Sequence, residues 1–265
     1  MSDPRAIGIF DSGIGGLTVL LALRQQLPHE SFVYLGDTAR LPYGTKSPAT
    51  VARYALKAAN FLVGNEIKML VVACNTVSAT ALPALERAVA VPVVGVVAPG
   101  ARSALRRTGG RIGVIGTEST IASGAYPRAL RELRPDVVTF EQACPLFVPL
   151  AEEGWFDHQV TREIADIYLA PLVGAGIDTL ILGCTHYPLL REAIVAAVGN
   201  KVALVDSASA VAEEVARLLG ESGLGSAGAG ETRLLITDAA ARVVRIAALI
   251  LKPDPPQLEL VDLAD

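Results

Sequence analysis

Two short stretches place a cysteine where chemistry could be done. In VVACNTVSA (71–79) an apolar run ends at Cys74, with Asn75 and Thr76 behind it. In LILGCTHYPLL (180–190) a second apolar run ends at Cys184, with Thr185 and His186 behind it. A cysteine kept only for packing has no need of hydrogen-bonding neighbours at a strand end. Cys144, in EQACPLFVPL, has no polar pair behind it and no twin, and reads as packing. A thiol reacts as its thiolate, a small fraction at neutral pH for an ordinary pKa of about 8.5. A helix beginning directly after Cys74 and after Cys184 would favour the thiolate through its free N–H groups and dipole. Asp11, at the end of the first apolar run, and His186 are the groups able to move a proton beside them.

Two facing thiols suggest two chemistries. One is a disulfide that forms and breaks, which needs sulfurs in contact. The other is acid–base: one sulfur takes a proton from a carbon and the other returns one from the opposite face, inverting a stereocentre. One cysteine per half across a shared cleft suits the second. The turn DSGIGG (11–16) lacks the lysine of a P-loop and the spacing of a dinucleotide fingerprint, so a nucleotide is not expected. It would offer Ser12 and backbone N–H groups to a small anion such as a carboxylate. LPYGTKSP (41–48) is a Pro-Tyr-Gly turn before a helix capped by Ser47.

These loops need a frame. Apolar runs at 6–10, 31–36, 68–73, 91–97, 111–116, 137–140, 178–183, 201–206 and 233–238 read as strands. Helix-period stretches such as 17–27, 47–64 and 160–176 lie between them. Strand and helix in alternation, with near-continuous Val/Ile/Leu strands, predict an α/β fold with mostly parallel sheets. Each half carries a strand ending in a cysteine loop, and each carries a Gly/Ser/Thr-rich turn after a strand, 11–16 and 116–124. Two pseudo-symmetric αβ halves would bring these loops, all at C-terminal strand ends, to one cleft. The stretch 221–231 reads as a flexible loop or linker, and the proline-bearing tail as ending in an edge strand.

Composition narrows the classes. The 265 residues are 51% hydrophobic and 19% charged, enough to bury a core. A net charge of -4, with no basic run, gives nucleic acid or a membrane surface little to hold. No apolar stretch reaches the roughly 18–20 residues of a membrane span. The opening MSDPRAIGIF has no long apolar core of a secretory signal, so a cytoplasmic protein is expected. Three cysteines build no disulfide framework, and Cys74, Cys184 and His186 make no recognised zinc spacing. No metal and no cofactor is expected.

Six motifs in order, FDSGIGGLTV, DTARLPYGTKS, ACNT, GVIGT, FVPLAE and LGCTHYPLL, resemble the glutamate racemases of the cofactor-independent aspartate/glutamate racemase superfamily. They run from residue 10 to about 208. The resemblance implies 1,1-proton transfer at Cα of glutamate, supplying D-glutamate for peptidoglycan, by a homodimer. It implies that Cys74, assisted by Asp11, acts on D-glutamate, and that Cys184, assisted by His186, acts on L-glutamate. Glu152 matches a further acid on the Cys184 side, with Glu153 the adjacent candidate. Ser12, Pro42, Tyr43, Gly44, Asn75, Thr76, Thr117, Thr120 and Thr185 match substrate-contacting positions. The implied domains are 1–98 with 208–265, and 99–207. In GTEST, Glu118 and Ser119 stand where relatives often carry a smaller pair, which leaves the local loop shape open. Few residues precede the first strand, so activation through an N-terminal extension is not expected.

Other members of the superfamily are the nearest rivals. His186 after Cys-Thr argues against an aspartate racemase, which resembles C-T-E there, and the cysteine pair argues against a decarboxylase relative that needs one. A dicarboxylate-binding module would have no use for two poised thiols.

Overall fold

In the computed structural model, which describes residues 3–252 and 257–263, the apolar runs become ten parallel strands in two sheets. In chain order they are β1 (Ile7–Asp11), β2 (Phe32–Gly36), β3 (Met69–Val72), β4 (Val93–Gly95), β5 (Arg111–Gly116), β6 (Val138–Ala143), β7 (Thr179–Gly183), β8 (Ala203–Asp206), β9 (Thr232–Ile236) and β10 (Leu258–Leu260). The larger sheet has the order β10-β9-β2-β1-β3-β4, and the smaller has β6-β5-β7-β8. Every residue of β1, β2, β3 and β7 is buried, because helices cover both faces. Two apolar clusters flank each sheet. Ile9, Val71 and Leu20 belong to one cluster of the larger sheet, and Phe10, Val72 and Leu62 to the other. Leu182 and Tyr187, against Val114 and Ile181, divide in the same way about the smaller sheet.

The chain leaves the six-stranded sheet after β4 through the helix Val97–Leu105 and returns after β8 through the helix Ser207–Ser222. The two connecting helices pack together and are bridged on their outer side by Arg102–Glu214 (2.9 Å) and Arg106–Glu213 (2.8 Å). The predicted halves therefore exist as two parallel sheets, with the N- and C-terminal strands sharing the larger one. The tail strand is present as β10, at the edge beside β9. Residues 253–256, which carry the tail's prolines, lie outside the described residues.

Three local expectations need correction. The run 91–97 is strand only over Val93–Gly95, and Val97 already opens the connecting helix. The expected helix directly after Cys184 is a 3-10 turn, Tyr187–Leu190, followed by the helix Arg191–Val198. Pro188, at the start of that turn, is tolerated because its missing N–H would be unpaired there anyway. Behind Cys74 the helix does start at once, but it divides at Ala81 into Asn75–Thr80 and Leu82–Ala88, with Pro83 in the first turn of the second piece.

Residues 221–231 are not a free linker. Glu221 and Ser222 finish a helix, and the loop after them is pinned. The Lys68 ammonium, fully buried, donates to Leu224 O and Asp3 O (both 2.8 Å) and pairs with Glu30 at 2.6 Å. The other Glu30 oxygen accepts the Ser226 N–H at 2.7 Å. A buried charge stripped of its partner is costly, whereas replacing both partners by apolar groups is often tolerated. Lys68→Ala is therefore expected to lower unfolding free energy by about 3–5 kcal/mol. Lys68→Met with Glu30→Met is expected to lower it much less. Urea denaturation followed by circular dichroism checks both.

Candidate active site

The C-terminal ends of β1, β3, β5 and β7 meet where the two sheets face one another. Cys74 caps the helix Asn75–Thr80 just past β3, and Cys184 follows the last residue of β7. Both line one narrow pocket. Ser12, Pro42, Tyr43, Gly44, Asn75 and Thr76 line it from the larger sheet's side, and Thr117, Glu152, Thr185 and His186 from the smaller sheet's side. Asp11 and Thr120 lie just behind this lining and act on it through neighbours. All three cysteines are free thiols. Cys144 is fully buried in the apolar cluster of Phe147 and Leu169, as the packing reading required.

Around Cys74, its thiol donates to the Ser12 hydroxyl at 3.3 Å. Asp11 is 1% exposed, and one of its carboxylate oxygens accepts the N–H groups of Gly13 (3.1 Å) and Gly16 (3.0 Å). The other oxygen, Oδ1, has no partner among the described residues. Burial raises the Asp11 pKa above the ordinary carboxylate value, against the His186 charge and these backbone bonds. Burial and the Asp11 charge push the Cys74 thiol up to about 12, against the Ser12 hydroxyl and the Val77 N–H. The helix terminus behind Cys74 is thus outweighed by desolvation, a correction to the expectation drawn from the loop.

The Cys184 side is built otherwise. His186 Nδ1 stands 3.9 Å from the Cys184 sulfur, and His186 Nε2 stands 3.6 Å from Glu152 Oε1. The second distance is a charge contact, longer than a direct hydrogen bond. Burial opposes the imidazolium, but the Cys184 sulfur and the Glu152 carboxylate on either side hold the His186 pKa above its usual value. Burial raises Glu152 too, and the His186 and Arg242 charges outweigh it, so its pKa is lowered. Of the two adjacent acids, Glu152 is the buried one facing His186, while Glu153 is half-exposed beside Arg242 and Arg245.

The two sides interlock. A methyl group on Gly15 would collide with Thr185 Oγ1 and lie 2.6 Å from His186 Nδ1, so only glycine lets the DSGIGG turn reach the Cys184 loop. The Thr76 hydroxyl meets those of Thr117 (2.9 Å) and Thr120 (3.3 Å) across the cleft. Thr117 also caps the helix Glu118–Ala122, accepting the Thr120 N–H at 3.2 Å. The Ser119 hydroxyl donates to Gly44 O (2.9 Å) and Lys46 O (3.1 Å), which ties the Pro-Tyr-Gly turn to the other half. The GTEST loop therefore uses its larger residue as a clasp. Asp37, fully buried, accepts the Tyr43 hydroxyl at 2.5 Å and steadies that turn from behind.

Several participants were not foreseen. Gly13, Leu41 and Val148 complete the pocket lining. Arg242, at the start of the helix Ala241–Ile250, reaches Glu152 Oε2 at 3.3 Å. Tyr126 and Ser207 hold the Asn75 amide. Gly13, Leu41 and Val148 lie within the motifs singled out above as neighbours of the named residues, whereas Arg242, Tyr126 and Ser207 sit in none of them and meet their partners only through the packing of distant segments. Among the described residues no cluster of three or more His, Cys, Asp or Glu is grouped to hold a metal ion, and no helix is long and apolar enough to cross a membrane.

A family model described as Asp/Glu/hydantoin racemase matches residues 18–215. A glutamate racemase of Geobacter metallireducens is 54% identical over 245 residues, covering 91% of this chain and 91% of its own. The crystal structure of a glutamate racemase from Bacillus anthracis superposes with a TM-score of 0.94 at 39% identity, covering 98% of both chains. That of the Francisella tularensis glutamate racemase in complex with D-glutamate superposes with a TM-score of 0.92 at 37% identity, again covering 98% of both.

The Glu152 environment has a consequence for stability. A carboxylate whose folded pKa lies below its unfolded value stabilises the protein above that unfolded value, about 4.3. The contribution is lost as the pH falls through the folded pKa. Wild-type Tm is thus expected to drop on acidification between about pH 5 and pH 3, and Glu152→Gln to flatten that limb. Calorimetric Tm values across this range check it, and parallel curves would contradict it.

Proposed function

The chain belongs to the Asp/Glu/hydantoin racemase family, and on that footing we propose that it interconverts L- and D-glutamate by moving the Cα proton between two thiols. The observation that carries this reading is the entry of Cys74 and Cys184 into one pocket from the ends of strands in opposite sheets. Such a pair can address the two faces of one tetrahedral carbon.

In the L-to-D direction the Cys184 sulfur, as thiolate, takes the Cα proton. The electron pair of the broken C–H bond passes into the substrate carboxylate as an enediolate-like carbanion. The Cys74 thiol then delivers its proton to the opposite face, and its sulfur is left as the thiolate. The reverse direction exchanges the roles. Each turnover leaves the two sulfurs with swapped protonation, so each needs a group that resets it. After an L-to-D turnover Cys184 carries the proton and Cys74 is the thiolate, so His186 takes a proton from Cys184 and Asp11, whose pKa burial raises, returns one to Cys74. After a D-to-L turnover His186, its pKa raised beside Cys184, returns a proton to that sulfur and Asp11 takes one from Cys74.

The difficult step is carbanion formation without an electron sink. It requires preorganised donors in a site closed to water. Ser12, Asn75, Thr76, Thr117 and Thr185 supply neutral donors for the two carboxylates, and Asp11, behind the lining, supplies negative charge on the Cys74 side. Motion of the two halves about their connecting helices would open and close the cleft. On the family resemblance, D-glutamate goes to peptidoglycan and the enzyme works as a cytoplasmic homodimer.

Cys74→Ala and Cys184→Ala are each expected to lower racemisation of glutamate, followed by circular dichroism, by at least about 1,000-fold, since each removes an obligatory acid–base group and not an auxiliary one. Near-wild-type turnover in either variant would sink the two-thiol reading. Turnover of aspartate in place of glutamate by the wild type would keep the thiols and overturn the substrate.

A further inference from the structure

Asn75 lines the pocket and is 2% exposed. Its side-chain oxygen is doubly engaged: the Tyr126 hydroxyl donates to it at 2.6 Å and the Ser207 hydroxyl at 3.2 Å. Its side-chain nitrogen has no hydrogen-bond partner among the described residues. The shorter distance belongs to an O–H···O bond and is below the usual range for an amide N–H donor. The amide is therefore seated with its oxygen on the hydroxyls, and the NH2 is what Asn75 can offer to a ligand.

The two hydroxyls are themselves well fixed. Tyr126, on the helix Ala125–Leu133, is 1% exposed, and its ring packs against the backbone of Gly100 and Gly183. Ser207 opens the helix that returns to the larger sheet, and its hydroxyl lies 3.4 Å from Leu182 O and 3.5 Å from the Tyr126 hydroxyl. Asn75 follows β3 of the larger sheet, whereas Tyr126 and Ser207 follow strands of the smaller one. The orientation of a donor carried by one half is thus set by the other half.

We infer that Tyr126 and Ser207 are positioning residues that hold the Asn75 amide with its NH2 toward a glutamate carboxylate, so that this donor is assembled only when the two halves are docked. The inference rests on the glutamate reading above. Without the hydroxyls the amide is free to turn and present its oxygen, which repels a carboxylate. An orphaned buried NH2 is unfavourable in the free protein, and a bound carboxylate relieves it.

The test is a double-mutant cycle on racemisation kinetics, with Tyr126→Phe, Asn75→Ala and the pair, each checked for Tm. Tyr126→Phe is expected to raise KM about tenfold with a smaller change in kcat, the scale of one hydrogen bond to a charged group. Asn75→Ala is expected to raise it at least as much, and the double variant no further than Asn75→Ala alone. Ser207→Ala is expected to act in the same direction, less strongly. An unchanged KM in Tyr126→Phe, or a full second loss in the Asn75→Ala background, overturns the inference, because a purely structural role for Tyr126 would be additive. The wild-type control separates the two claims: failure to turn over glutamate sinks the substrate reading alone. The Asn75 side-chain amide resonances, assigned by their loss in Asn75→Ala, then decide the positioning without any substrate. A shift on Tyr126→Phe supports it, and unmoved resonances overturn it.

Discussion

Everything in this molecule turns on burying two thiols in a site that neither sheet can form alone. Cys74 and Cys184 sit at the C-terminal ends of strands in different sheets, and both are almost wholly buried. Contacts across the cleft are what bury them. Gly15 lies against Thr185 and His186, Thr76 against Thr117 and Thr120, and Ser119 grips the backbone of Gly44 and Lys46. Parallel topology makes this possible, because every strand of a parallel sheet delivers its loop to the same edge. The connecting helices Val97–Leu105 and Ser207–Ser222 set the two edges face to face. Burial strengthens each charge interaction inside, and it leaves polar atoms such as Asp11 Oδ1 and Asn75 Nδ2 without a hydrogen-bond partner among the described residues.

The pocket is symmetric in plan and asymmetric in charge. Cys74 faces an acid and a hydroxyl, and desolvation keeps its proton on. Cys184 faces a histidine whose pKa is raised by the Cys184 sulfur and by Glu152, and the Glu152 pKa is in turn lowered by His186 and, less, by Arg242. The proposed reaction, which needs one sulfur charged and the other neutral at its start, would be served by two different surroundings, where two identical ones would compete for the same state. The loops interpenetrate enough for His186 to act on Asp11 as well, so the two sides form one network of charge.

Much of this was legible in the residues. Continuous Val/Ile/Leu runs announced strands buried on both faces, and β1, β2, β3 and β7 are buried throughout. The cysteine loops announced themselves by polar residues at strand ends. What escaped reading depended on separation along the chain. Arg242 meets Glu152, and Ser207 meets Asn75, only because distant helices pack there. Local competition decided the rest. After Cys184 the chain takes a 3-10 turn before its helix begins, and desolvation overrode the helix terminus at Cys74. Residues 221–231 look like a linker by composition, yet the buried Lys68–Glu30 pair, which no local pattern announces, holds that loop down.

The central claim is that two separate groups, one on each face of Cα, carry the proton. The most direct measurement is mass-spectrometric tracing of deuterium in both enantiomers during the first turnovers of L-glutamate in D2O. Two thiols predict that D-glutamate forms with deuterium at Cα from the outset, while the remaining L-glutamate keeps its hydrogen. D-Glutamate that first appears carrying the original hydrogen would mean that one group moved it across, and would contradict the account.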